Sequence, residues 1–315
     1  MPTRRCLPRH ATSLGALVAV LSLVSCGGDE TGDRGSQKTT PARDVQALAR
    51  QAFGPNRAAT SGRIDGRIDI TVAGARRSRE PVALAMSGPF RQRPGRPLPD
   101  YSIDLSVGDR GVGLSSVRGR SFVTLGTTGY AIPARVRRRL ARSAARGHNG
   151  LTRMLEQFGI APWRWEINQR VGATERVDGQ PTVRVDTGVD VDRFLRDANT
   201  LAGVLSSLGV ARANGLPARI PRAVRRILVG AVRAARGASW IASSDKVMRK
   251  AGLTIDFAVP RARRAKLGGA SSVKVVAEVL VTEVGTRPTI EAPGTLEPFS
   301  SLQLAFDALA DDAGR

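Results

Sequence analysis

The chain has 315 residues, of which 41% are hydrophobic and 4% aromatic, and its formal charge is +22. That length and hydrophobic content exclude a disordered or fibrous chain and allow one large domain or two small ones. The charge admits two kinds of partner, nucleic acid or an anionic surface, and arginine carries nearly all of it, since lysine stands only at 38, 246, 250, 266 and 274.

At the N-terminus, Arg4, Arg5 and Arg9 precede an apolar segment from Ala11 to Ser25. This is the layout of a secretory signal, too short for a comfortable transmembrane span. Leu23, Val24 and Ser25, immediately before Cys26, resemble the bacterial lipobox. By that resemblance residues 1–25 are a signal peptide, and Cys26 becomes the N-terminus and carries lipid on its sulfur and amine. Cys6, the other cysteine, leaves with the signal, so the exported domain has no free thiol for a disulfide or a cysteine–metal site. Residues 26–43 are rich in Gly, Ser, Thr and charge and read as a flexible tether. Residues 44–315 then form the domain. Export favours the outer face of the cell membrane as location, with anionic lipid headgroups or wall polymers, and not nucleic acid, as partners of a charge that is +19 once the signal's arginines are gone.

Within the domain a short helix is expected at 44–53. Strands follow. In "SGRIDGRIDITVAG", Ile64, Ile68, Ile70 and Val72 lie on one side, with charged and polar residues on the other. "PVALAMSG", "YSIDLSVG", "RGVGLSSVRG" and "RSFVTLGTTGYAIP" continue a meander with tight glycine turns. The period then changes to helical over 133–158. Two more strands, joined by Asp178-Gly179, lead to a helix capped by Asp190. A basic helix is expected over 219–236: Ile220, Val224, Ile227, Leu228 and Ala231 share a face, and Arg222, Arg225, Arg226, Arg233 and Arg236 occupy much of the rest. "LTIDFAVP" and "SSVKVVAEVLVTEV" are strands, and a terminal helix runs from 300 to about 309. The alternation of apolar and wet faces predicts an α+β domain, a curved antiparallel sheet of eight or more strands covered on one face by the two helical insertions.

The stretch "WEINQRVGATERVDGQPTVRVDTGVDVDRFL" resembles a run found in LolA-like bacterial envelope lipoproteins and is similar to the actinobacterial LppX/LprG-type lipid carriers. The matching residues are Trp165, Asn168, Gly172, Glu175, Val177, Gly179, Thr182, Val191, Asp192 and Leu195, and the tail "VTEVGTRPTIEAP" fits a last strand ending at Pro293. The resemblance implies an antiparallel half-barrel with helices over its concave apolar face, and a monomer that binds an acyl lipid or glycolipid there to carry or sense it, without catalysis or cofactor. The strand parity offers Ile68, Ile70, Leu105, Phe257, Val275 and Val279 as cavity residues, and the basic helix offers Arg222, Arg225, Arg226 and Arg233 for docking on an anionic membrane.

Catalytic constellations are missing from the sequence. His10 leaves with the signal and His148 stands alone; there is no Gly-x-Ser-x-Gly elbow. Asp186, Asp190 and Asp192 read as a helix cap and a solvated face, so neither catalytic nor metal-binding residues are expected. The rival reading is a structural tether or adhesin whose basic surface holds anionic wall polymer.

Overall fold

A computed structural model describes residue 47 and residues 59–75, 81–96, 98–107, 110–144, 150–208 and 218–312. The signal, Cys26, the tether and His148 lie outside these residues. So does the expected helix at 44–53 except for Ala47, which is helical.

Among the described residues, twelve strands form one sheet. Six make an up-and-down meander: β1 (Ser61–Ala73), β2 (Val82–Arg91), β3 (Asp100–Val107), β4 (Arg110–Val117), β5 (Arg120–Leu125) and β6 (Thr128–Ala131). Five make a second: β7 (Glu166–Val177), β8 (Gln180–Val189), β9 (Val232–Ala242), β10 (Met248–Ala258) and β11 (Ser272–Thr282). β12 (Thr295–Pro298) pairs parallel to β6 at the edge. The order is β12-β6-β5-β4-β3-β2-β1-β11-β10-β9-β8-β7, so β1 and β11 join the two meanders. Their pairing runs from Arg63↔Thr282 to Ala73↔Ser272, matching Ile64 to Val281, Ile70 to Val275 and Val72 to Val273 on the apolar face, with Arg67 opposite Glu278 on the other.

The helices lie on the apolar face. α1 (Ala134–Ala144) and α2 (Gly150–Gln157) take the chain from β6 near one edge to β7 at the other. α3 (Val191–Ser207) and α4 (Arg222–Val229) fill the connection between the neighbouring strands β8 and β9, and α5 (Leu302–Asp312) closes the chain. Asp190 caps α3, its side chain accepting a hydrogen bond from the Arg193 amide. The Asp178-Gly179 turn joins β7 and β8 with φ of 49° and 71°, the left-handed pair that matches strand twist.

Two packed clusters form on this face. In the first, Met154, Leu155 and Phe158 from the α2 region, Leu205 and Leu208 from the end of α3, and Phe306 of α5 pack on Phe90, Ile103, Leu114 and Val123. In the second, Val191, Phe194 and Leu195 from the start of α3, with Val224 of α4 and Leu267, pack on Ile255, Phe257 and Val273.

The expected helix over 219–236 is corrected. It ends at Val229, and Val232–Ala242 is β9, so Arg233 and Arg236 are strand residues. Gly230 stops the helix, and the Ala231 carbonyl accepts a hydrogen bond from the Ala258 amide beside the new strand (2.8 Å). Nor does the last strand end at Pro293: residues 286–294 carry no strand and β12 begins at Thr295. A 3₁₀ helix at Arg261–Leu267 was not foreseen.

The face away from the helices is held by side chains running across strands. Trp240 on β9 donates its indole N–H to Glu175 Oε2 on β7 (2.7 Å). The Arg184 guanidinium (β8) and the Lys250 ammonium (β10) lie 5.3 and 5.2 Å from the Trp240 ring, and Lys250 reaches Glu278 on β11 at 2.7 Å. Five strands are thereby joined through one indole. We expect Trp240→Ala to cost about 2 kcal/mol and Lys250→Met less than about 1 kcal/mol. Denaturant midpoints read with a common slope check both; a Trp240→Ala chain as stable as the wild type contradicts the ladder.

Candidate functional site

The two clusters leave a strip between them. Along it, Leu105 (β3), Met86 (β2), Ile68 (β1), Ala277 and Val279 (β11) and Leu253 (β10) are each only half-buried. Register makes the strip continuous: Leu105 faces Met86, Ile68 faces Ala277, and Ala277 faces Leu253. Gly66, paired with Val279, closes the one remaining step. A Cβ there would stand 2.8 Å from Met86 Cγ, so the missing side chain lets Met86 lie across β1. Every side chain on the strip is apolar, and Gly66 and Ala277 keep it shallow.

α3 explains why the strip stays half-open. The helix touches the sheet at both ends, through Phe194 and Leu195 in the second cluster and through Leu201, Val204 and Leu205 in the first. Its middle carries Asp197, Ala198 and Asn199. Asp197 Oδ2 accepts from the Ala161 amide (3.0 Å) and the Trp165 indole (2.9 Å), and Asn199 Oδ1 accepts from the Ile220 amide (2.7 Å). These groups are spent on neighbouring loops.

A pocket of about 310 Å³ lies at the same strands but opens on the opposite face of the sheet, where Ser87, Asp104, Gly113 and Thr124 alternate with the inward-facing Met86, Leu105 and Val112. Met86, Leu105 and Val112 are among its apolar lining residues, and Ser87, Asp104 and Thr124 among its polar ones.

Of the six expected cavity residues, the structure buries Ile70, Phe257 and Val275 within the second cluster. Ile68, Leu105 and Val279 stand on the strip. Met86, Gly66, Ala277 and Leu253 complete the strip and were not singled out beforehand. Parity alone cannot separate a buried position from a half-buried one on the same strand face, whereas small residues opposite large ones carry that information.

At the β7 edge of the same face one polar group stands out. Glu166, at the start of β7, accepts hydrogen bonds from Ser239 Oγ (2.7 Å) and Gln169 Nε2 (2.8 Å). Burial pushes its carboxyl above the usual range, and the two hydrogen bonds offset only part of that rise.

The residues of the Trp165–Leu195 run have structural duties. Trp165 packs edge-on against Phe194, with ring centroids 5.1 Å apart, and donates to Asp197. Asn168 takes a φ of 52° within the first of two register shifts in β7. Thr182 donates its hydroxyl to the Glu175 carbonyl (2.8 Å). Asp192 pairs with Arg196 (3.3 Å) and Arg225 (3.6 Å), tying α3 to α4. Asp186 pairs with Arg184 (2.8 Å). Among the described residues no group of three or more His, Cys, Asp or Glu could hold a metal ion, and no helix is long and apolar enough to cross a membrane.

These elements define an α+β protein with a large, open, antiparallel sheet carrying helices on one face. No family model matches the chain, and no curated protein matches it. Solved structures that resemble it include LprF from Mycobacterium bovis, at 10% identity and a TM-score of 0.41, covering 80% of this chain and 98% of that one. The lipoprotein LppX from Mycobacterium tuberculosis has 13% identity and a TM-score of 0.40, covering 80% and 100%. A LolA superfamily protein from Nitrosomonas europaea has 9% identity and a TM-score of 0.23, covering 78% and 94%.

Glu166 gives a test of the geometry at the start of β7. Its proton is held more tightly in the folded chain than in the unfolded one. Its contribution to stability is therefore fully present below the unfolded carboxyl pKa and is lost as pH rises through the raised, folded pKa. We expect the wild type to gain stability relative to Glu166→Gln as pH falls from neutral through the acid range. Denaturation midpoints across that range check this, and a stability difference that does not change with pH contradicts the buried placement.

Proposed function

We propose that the chain is an extracytoplasmic lipoprotein, anchored through Cys26 to the outer face of the cell membrane, that binds an acyl lipid or glycolipid along its concave face and carries or senses it without catalysis. The half-buried apolar strip from Leu105 to Leu253 carries this reading. It is too exposed to be finished core and has no polar side chain to hold a water-soluble substrate. An acyl chain laid along it gains about 0.8 kcal/mol for each CH₂ buried, so a few turns of contact outweigh the loss of chain freedom. The protein acts as a monomer with no cofactor, and its charge faces anionic lipid, not nucleic acid.

Native mass spectrometry of the purified full chain tests the reading: we expect phospholipid or glycolipid to be retained. Ala277→Phe, which fills the strip between Ile68 and Leu253, should lower that retention while the chain stays folded by circular dichroism. A chain that is empty as purified and takes up no added lipid overturns the carrier in favour of a tether.

The anchor is checked apart from the cargo. Cys26→Ala should move the protein out of the membrane fraction, since the unprocessed segment of about 15 apolar residues anchors poorly. Retention of this variant after a high-salt wash, with no acylated N-terminal peptide in the wild type, sinks the lipobox assignment.

A further inference from the structure

α4 and the 3₁₀ helix Arg261–Leu267 meet at one end of the strands, both resting on the second cluster. α4 turns Val224 inward and leaves Arg222 and Arg226 exposed; the 3₁₀ helix buries Leu267 and exposes Arg261, Arg263 and Lys266. Arg233 is exposed at the start of β9 between them. Neither helix contains an acidic residue. Among the described residues, Arg225 of α4 pairs with Asp192, and none of the six exposed cations makes an ion pair.

Apolar side chains stand among these charges. Val229 and Val232, three residues apart on the turn from α4 into β9, are 38% and 36% exposed. They are two of five large hydrophobic residues exposed in the described chain, and a third, Ile167, starts β7 at the same end of the sheet. A polyanion such as nucleic acid or wall polymer meets cations with phosphates and offers exposed valines nothing. A bilayer offers both anionic headgroups and hydrocarbon.

The reach of the tether fits the same occupant, since β9 starts at the end of the sheet where β1 finishes. The chain enters the domain at the other end, at Ala59 and Ser61. The 13 residues of β1 separate the two ends by about 43 Å, and the chain from Cys26 to Ala59 can span at most about 110 Å, enough for an anchored domain to turn over.

We propose that this end of the half-barrel docks on an anionic bilayer, with Val229 and Val232 entering the headgroup layer and the six cations on lipid phosphates. The proposal deepens the carrier reading and rests on it for the anchor and the cargo.

The test uses the full chain carrying Val229→Cys labelled with the polarity-sensitive fluorophore NBD, reconstituted into vesicles of phosphatidylcholine alone or mixed with phosphatidylglycerol. A chain without the new cysteine controls for labelling elsewhere. We expect NBD emission to rise and shift to the blue only with phosphatidylglycerol, and the change to fade as salt is added. Arg222→Glu with Lys266→Glu should weaken the response roughly fivefold or more for each position. Val232→Ser, which removes the apolar contact without adding charge, should weaken it as well, while the binding of soluble polyphosphate stays unchanged. The proposal is overturned if emission is the same in both vesicles, or if Val232→Ser leaves the vesicle response intact while polyphosphate competes it away, which makes the surface a polyanion site. Lipid retention by native mass spectrometry on the same preparations separates the two readings: a silent probe on a lipid-loaded chain rejects docking alone, and a responsive probe on an empty chain rejects the carrier alone.

Discussion

The pairing of β1 with β11 is the constraint on which the rest depends. Each meander is built from neighbours in sequence and can form locally. Only the 11-pair ladder between residues 63–73 and 272–282 makes them one sheet. Without it the concave face has no centre, because Ile68 and Gly66 sit on one strand of this pair and Ala277 and Val279 on the other. The ladder closes a loop of about two hundred residues, so it forms late and at a high entropic cost, which is the expected kinetic signature of non-local sheets. Its apolar rungs at both ends and the opposed Arg67 and Glu278 hold it against slippage, since a one-residue slip would turn every isoleucine outward.

The distribution of charge follows from the same sheet. On the face away from the helices several acids have partners: Asp69 with Arg67, Asp186 and Glu175 with Arg184, Glu278 with Lys250. Such exposed pairs add little energy each, and the indole of Trp240 between two cations is what links them. The excess of arginine is therefore left at the ends of the strands and on the helices, where it can act on a partner.

Much of the fold was legible because period-2 alternation marks a sheet wetted on one side. Ile64 to Val72 and Val273 to Val281 read cleanly for that reason. β9 did not. Its inward residues include Ala235, Gly237 and Ser239, and Gly237 lies so close to Thr187 that a Cβ would be 2.9 Å from its hydroxyl oxygen. Crowding thus selects small residues, and an alanine–arginine run with no apolar alternation carries helix propensity instead. Gly230 was the available signal for the break. The strip was half legible: Ile68, Leu105 and Val279 show by parity, but Met86 and Gly66 owe their place to contact across strands. The Trp165–Leu195 run announced a fold through residues that cap, turn and brace it, and none of them lies on the strip.

An open sheet keeps its concave face accessible only by leaving two strand edges unpaired, and such edges invite another chain to add on. This protein blunts both. β12 is four residues long and ends in Pro298, which has no amide hydrogen to offer. β7 is twelve residues long, but its ladder shifts twice, Asn168 is left-handed within it, and Arg170 and Arg176 are exposed along it. A neighbour trying to extend the sheet from β7 would meet a bent backbone and a row of like charges. The irregularity of that strand is thus a defence against polymerisation, and it lets a half-closed barrel stay open without becoming a fibre.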